Sequence, residues 1–345
     1  MQIFNFIKTL RLKVRSDSIK NLSAFTFVMV GYSIGVWMLF ATNILLNVVG
    51  VLLTAEALII SAYLLHELSH GSIFKTSKVN QRWGNIMAWI NGSCYSTFKE
   101  IRDKHIHHHV DRADVLTFNV QELMANMPSL ARNLIKVLEW VYVPALEILM
   151  HFLVIILPFL KPEWHHKRLR LIAIILIRTP LFILMAWVSF KAWLLYMLAY
   201  GLMLTILRFA DAFQHTYDVF LESELAKNGG KLTDGKLRNR AYEQANTFSN
   251  LVSIKYPWLN LLLLNFSYHN AHHEVPLVPW HSLPALHKKM FGNSSELPIV
   301  PMSKLLSAYH RHRVARLQSN DYGVITNQTA DAFIGAAGVS FLTAL

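Results

Sequence analysis

With 345 residues, 53% of them hydrophobic and 16% charged, the chain carries far less charge than the roughly 25% of a soluble domain. Mean hydropathy is +0.32, so an ordinary soluble enzyme is a poor fit and an integral membrane protein a good one. The formal net charge of +12 comes from Lys and Arg placed mostly beside apolar runs. That placement suits anionic lipid headgroups, or an acidic electron donor, and not nucleic acid. Cys94 is the only cysteine, which excludes an intrachain disulfide and a thiolate metal site. A reducing cytoplasm fits this usage.

The N-terminal stretch holds Lys8, Arg11, Lys13, Arg15 and Lys20. No small-residue cleavage site follows its first apolar run, so a retained span is expected rather than a signal peptide. Ala24 to Ala41 and Asn43 to Leu65 each approach the ~20 apolar residues a membrane helix needs. The short link at Thr42 and Asn43 makes them a hairpin. The basic flank puts the N-terminus in the cytoplasm, and two crossings return His66 and His70 to that face. Asn85 to Phe98 is apolar but too short to span and is expected along the interface. Asn119 to Glu139 reads as amphipathic.

Val141 to Leu160 is long enough to cross yet carries Pro144, Glu147, His151 and Pro158. It is expected to dip into or lie on the membrane, because a crossing would put the later histidines on the wrong face. Pro162 to Arg170 reads P-E-W-H-H-K-R-L-R, a cytoplasmic signal. Leu171 to Phe190 and Ala192 to Phe213 form a second hairpin. Arg178 and Pro180 interrupt its first helix, and a mid-membrane Arg costs about 2.5 kcal/mol or more. Snorkelling or packing on a partner is the plainer reading of Arg178, and a role near a lipid substrate the other.

Leu221 to Asn246 is polar and reads as a helix pair or loop. The tail after Ser319 carries no motif. The expected architecture is an all-α integral membrane protein: four transmembrane helices in two hairpins, with a cytoplasmic helical cap. The boundaries are a flank at 1–23, a first hairpin at 24–65, a cytoplasmic or interfacial part at 66–170, a second hairpin at 171–213, a cytoplasmic part at 214–318 and a tail at 319–345.

Three histidine clusters stand at helical spacing. His66 and His70 lie four apart in H-E-L-S-H. His105, His108 and His109 fit H-x-x-H-H, and His269, His272 and His273 repeat it. Residues at i, i+3 and i+4 share a helix face, so each cluster is expected to aim its imidazoles at one point. These eight nitrogens exceed one zinc site and suit two ions. His215, alone at the end of the fourth span, is a ninth candidate. Asp211, four residues earlier, either ligates through water, orients a ligand imidazole or faces Arg208.

His107 points off the shared face, toward the surroundings of the site or the surface. His165 and His166 read as headgroup or solvent contacts, and His281 and His287 as peripheral. Metal-bound imidazoles usually donate their other N–H to a carboxylate or carbonyl. Glu67, Glu100, Asp103, Asp111, Asp114 and Glu274 are the acids nearby in sequence.

Taken together, the three clusters resemble the membrane fatty acid desaturase and hydroxylase superfamily, with its boxes H-x-x-x-H, H-x-x-H-H and [HQ]-x-x-H-H in this order. The resemblance covers roughly Ala24 to Leu286. It implies a nonhaem diiron centre, O2 as oxidant and a separate electron donor of ferredoxin or cytochrome b5 type. His66, His70, His105, His108, His109, His269, His272 and His273 become the catalytic histidines, and these with His215 the metal ligands. Acyl-CoA members pair an Asn with a His four residues on; here that Asn position is Asp211, which argues against close kinship with that group. The segment from Asn265 to Pro276, followed by W-H-S-L-P, is similar to the ending of acyl-lipid desaturases and carotenoid oxygenases.

The expected activity is acyl-lipid desaturation, with the substrate an acyl lipid or acyl thioester. A hydroxylase or ketolase acting on an alkyl chain or carotenoid is the alternative. H-E-L-S-H also satisfies the zinc protease pattern H-E-x-x-H, with Glu67 as base, though that chemistry has no use for the other boxes. A metal transporter would want polar residues inside several spans, and these are mainly apolar. The boxes are expected to face the cytoplasm, in a bacterial inner membrane.

Overall fold

In the computed structural model, residues 17–292, 299–319, 332–338 and 342–345 are described. The basic residues before Asp17 and much of the tail lie outside them. Among the described residues, four helices are long and apolar enough to cross a membrane: α1 (Ser18–Leu39), α2 (Ile44–His70), Pro162–Val188 with its regular part α8 (Arg168–Val188), and α9 (Phe190–Asp211). The shorter elements are α3 (Ser77–Asn91), α4 (Phe98–Asp111), α5 (Val120–Asn126), α6 (Ser129–Trp140), α7 (Ala145–Leu160), α10 (Glu222–Lys227), α11 (Arg240–Ala245), α12 (His269–Glu274), α13 (Leu283–Phe291) and α14 (Met302–His312). Strands β1 (Asp114–Leu116) and β2 (Val219–Leu221) pair in parallel.

Several expected boundaries move. The first span begins at Ser18, not Ala24, with a π turn at Phe27–Gly31. The second helix runs through His70 instead of stopping at Leu65, so the first box lies inside it. Asn43 caps that helix, its Oδ1 accepting from Leu45 N at 2.8 Å. Gly71 ends it in the left-handed conformation, φ 64°. The third apolar helix begins at Pro162, well before Leu171. The short helix of this region is Ser77–Asn91, where Asn85 to Phe98 was expected. Pro128 splits the amphipathic stretch into α5 and α6, because the residue before a proline is pushed out of the helical region.

Helix α7 is not among the four span candidates. Its 16 residues rise about 24 Å, short of the ~30 Å hydrocarbon core.

The contacts divide the chain into two compact units: Met1–Lys99 with Ile148–Ile206, and Glu100–Glu147 with Leu207–Leu345. In the first unit, α1 and α2 approach through small residues. A Cβ on Gly35 would sit 2.6 Å from Thr54 Oγ1, and one on Gly50 2.9 Å from the Gly35 carbonyl. Asn47 Nδ2 donates to the carbonyls of Met38 (2.9 Å) and Ala41 (3.0 Å), closing the turn between these helices. Arg178 donates to the Trp89 carbonyl at 2.8 Å and to Cys94 Sγ at 3.4 Å. Arg170, two turns earlier, donates to the carbonyls of Tyr95 (2.9 Å) and Ser96 (3.0 Å). The two arginines pin the segment after α3 to α8, so Arg178 packs on a partner.

In the second unit, a buried Arg208 donates to Glu139 Oε2 (2.6 Å), Glu147 Oε2 (2.8 Å) and Tyr309 Oη (2.9 Å). Arg208 is therefore taken up by two glutamates and a tyrosine. The final residues are tied in as well. The Thr343 carbonyl accepts from Lys104 Nζ (2.7 Å) and Thr117 Oγ1 (2.7 Å). Burial pushes Lys104 down to about 8 against the carboxylates of Glu222, Asp114 and Asp211.

Candidate metal centre

Stretches far apart in sequence are laced together by hydrogen bonds to their backbones. The parallel pair β1–β2, in register Asp114 with Val219, follows the second box on one side and His215 on the other. The His215 segment then bonds to 246–248: Thr216 N donates to the Asn246 carbonyl (3.0 Å) and Phe248 N to the Gln214 carbonyl (2.8 Å). Box three joins through Asn270, whose Nδ2 donates to the Thr247 carbonyl (2.6 Å) and whose N donates to Ser249 Oγ (3.1 Å). Each bond satisfies a buried backbone group that would otherwise cost free energy.

Within this unit the histidines form two groups. His108, His215, His269 and His273 bring one ring nitrogen each within 4.8 Å of one another. His108 Nε2 is 3.1 Å and His269 Nε2 2.6 Å from His215 Nε2. His105, His109 and His272 form the other group: His109 Nε2 lies 3.1 Å from His105 Nε2 and 3.2 Å from His272 Nε2. The groups adjoin, with the rings of His109 and His273 stacked at 4.2 Å.

These spacings fit a cation. An ion about 2.1 Å from two adjacent imidazole nitrogens holds them about 3 Å apart, whereas one proton cannot bridge three converging nitrogens. His273 Nε2 is buried and has no hydrogen-bond partner, as a ligand nitrogen should be. Burial, reinforced by the neighbouring imidazoles, holds His215 and His273 well below the ordinary histidine range, and burial does the same to His269. All three are thus in the neutral form that binds metal.

The expectation that each box aims at one point is corrected. In the second box His105 and His109 serve one group and His108 the other. In the third, His269 and His273 stand together and His272 departs. In the first unit, the first box also converges, His66 Nε2 lying 3.2 Å from His70 Nε2.

The outer nitrogens are held in their turn. His108 Nδ1 is 3.0 Å from the Ala113 carbonyl and 3.3 Å from the fully buried Asp114 carboxylate. His273 Nδ1 is 3.4 Å from Glu243 Oε1, while Glu243 Oε2 accepts from Arg112 Nε at 2.8 Å. Glu243 was not among the acids expected from sequence. It lies thirty residues before His273 in a stretch without a motif, and only the fold brings it in.

Tyr217 was also unforeseen. Its ring lies 4.2 Å from that of His215 at a tilt of 31°, and its hydroxyl pairs with Thr247 Oγ1 at 2.7 Å. A cavity of about 90 Å³ lined by Glu243, Thr247, Asn270 and Glu274 opens beside His273.

Several of the remaining candidates have partners of their own. Glu67 accepts from Ser72 Oγ at 2.6 Å, and Glu274 pairs with Arg240. His107 pairs with Asp111 at 2.7 Å on the helix surface. His165 and His166 are exposed, His281 lies against Ser282, and His287 meets the Tyr268 ring edge-on at 5.2 Å.

No curated protein matches the chain. The family model for fatty acid desaturase matches residues 22–302, a range that contains every histidine of the three boxes and His215. This chain belongs to the fatty acid desaturase family.

Proposed function

We propose that the chain is an O2-dependent diiron desaturase that introduces a double bond into the acyl chain of a membrane lipid or acyl thioester. The observation that carries this reading is the pair of adjoining all-imidazole nitrogen groups in a helical chain of this family. His108, His215, His269 and His273 are the proposed ligands of one iron, and His105, His109 and His272 ligands of the other. His66 and His70 are added as ligands on the three-box pattern of the sequence.

Bound iron, with O2, supplies an oxidising power toward an unactivated methylene that no side chain has. The reaction balances as one –CH2–CH2– segment, O2, two electrons and two protons going to –CH=CH– and two waters. The electrons come from a separate donor of ferredoxin or cytochrome b5 type. The chain's own part is to hold and orient. Glu243 accepts the Nδ1 proton of His273 and leaves Nε2 toward the metal. The Ala113 carbonyl and Asp114 do the same for His108. Burial of the groups keeps bulk water from competing as a ligand. We place the boxes at the cytoplasmic face, in a bacterial inner membrane.

The test is the lipid profile of a host expressing the chain beside its His273→Ala variant, with insertion checked by membrane fractionation. New unsaturated acyl chains with the parent only are the expected result. Hydroxylated or keto products would move the chain to the oxygenase branch. Equal product from the variant would remove His273 from the ligands.

A further inference from the structure

Helix α6 turns an apolar face outward. Along its length Leu130 (83% exposed), Leu134 (57%), Val137 (59%) and Trp140 (59%) are open, and Val141 continues the row. At about 100° per residue these five fall within roughly a third of the helix circumference. Glu139 lies diametrically opposite Leu130 and is wholly buried, paired with Arg208. A helix on a water-facing surface does the reverse, burying its apolar stripe and exposing its acids. Single exposed leucines are ordinary; a continuous stripe of this kind marks an interaction surface.

The end of the stripe carries aromatics and cations. Arg313 donates from Nε to the Trp140 carbonyl at 3.0 Å, and its guanidinium lies 5.3 Å from the Trp140 ring and 5.7 Å from that of Tyr142. Tyr142 Oη pairs with His310 Nδ1 at 2.5 Å. Trp and Tyr backed by basic side chains are the chemistry of a headgroup layer. Chain continuity selects the same occupant. Val141 and Val143, just past the helix, are exposed as well, and in sequence the chain goes on through apolar α7 to the span at Pro162–Val188.

We infer that α6 lies in the plane of the bilayer, its Leu130–Leu134–Val137 face in the acyl boundary, with Trp140, Tyr142, His310 and Arg313 at the headgroups of an anionic phospholipid leaflet. This inference rests on the membrane placement of the four apolar helices and is independent of the reaction. A second protein copy on the stripe would leave the charged, aromatic end unexplained.

The test uses the full chain in nanodiscs of phosphatidylcholine with one quarter phosphatidylglycerol. Cys94→Ser provides the background, with single cysteines at Leu134→Cys, Val137→Cys and the exposed loop control Lys231→Cys. Each carries a nitroxide label, and its collisions with O2 and with a water-soluble nickel chelate are compared. Labels at 134 and 137 should favour O2 strongly and the label at 231 the chelate. Chelate access at 134 and 137 equal to that at 231 would overturn the inference. So would exclusion of both reagents, the mark of a protein covering the stripe.

The anionic part is read separately. Discs of pure phosphatidylcholine should bring the label at 137 closer to water, and Arg313→Gln should do so in the mixed discs, with Arg313→Lys restoring depth. Depth indifferent to phosphatidylglycerol and to Arg313→Gln would overturn it.

Discussion

His108 and His109 are neighbours in the chain but belong to different nitrogen groups, His108 with His215 and His109 with His272. The reason is helical geometry. At about 100° per residue, i and i+4 lie about 40° apart, whereas i+3 and i+4 lie about 100° apart. One H-x-x-H-H turn can therefore feed two ions side by side. The third box does this in the opposite sense, and the two boxes interlock.

That arrangement predicts two irons per chain. Protein purified without oxygen and analysed for metals should carry two, with little zinc. His108→Ala and His109→Ala should each abolish turnover, each by weakening a different ion. A single zinc and no iron would refute the assignment.

Glu243 should act through His273. Glu243→Gln keeps the shape and one acceptor but loses the charge, and outer partners of this kind are worth about 10–100-fold in metal affinity or activity. We expect a loss in that range with normal membrane insertion. Gln at full activity and full iron content would show that the 3.4 Å contact contributes nothing.

The Glu139–Arg208–Glu147 cluster should be costly to break and cheap to replace. Arg208→Met leaves two buried carboxylates without a cation, at a cost of about 3–5 kcal/mol. Burial already pushes the Glu139 carboxyl up, against the pull of Arg208. The triple variant Arg208→Met, Glu139→Gln, Glu147→Gln should recover much of the loss. Thermal unfolding in detergent would decide, and an unchanged Tm for Arg208→Met would contradict the assignment.

The metal-free protein should be acid-sensitive. His215, His269 and His273 are held below their unfolded value of about 6.5. The unfolded chain therefore binds more protons below that pH, and stability is present above it and lost as pH falls. Chelator-treated protein should melt earlier at pH 5.5 than at pH 7.5. Metal-loaded protein should fall less over the same interval. Identical melting at the two pH values would refute this.

Helix α7 should not cross the membrane. With Cys94 replaced, cysteines placed at Arg11 and at His165 should be labelled from the same side. Labelling from opposite sides would overturn the four-span topology and the common cytoplasmic face.

The sequence by itself determined the membrane class, the four apolar helices and the boxed histidines, because hydropathy and i, i+3, i+4 spacing are local properties. It also pointed to His215, through its place at the end of an apolar run. Boundaries were less legible: Pro128 and Gly71 act on the backbone at single residues, and hydropathy alone does not locate a helix end. Tertiary structure alone decided how the boxes divide between two groups, since the imidazoles that meet across boxes lie 54 to 163 residues apart. It alone brought Glu243 to His273, through hydrogen bonds between segments far apart in sequence. It also turned the apolar face of α6 outward, because the buried Arg208 claims Glu139 on the opposite face.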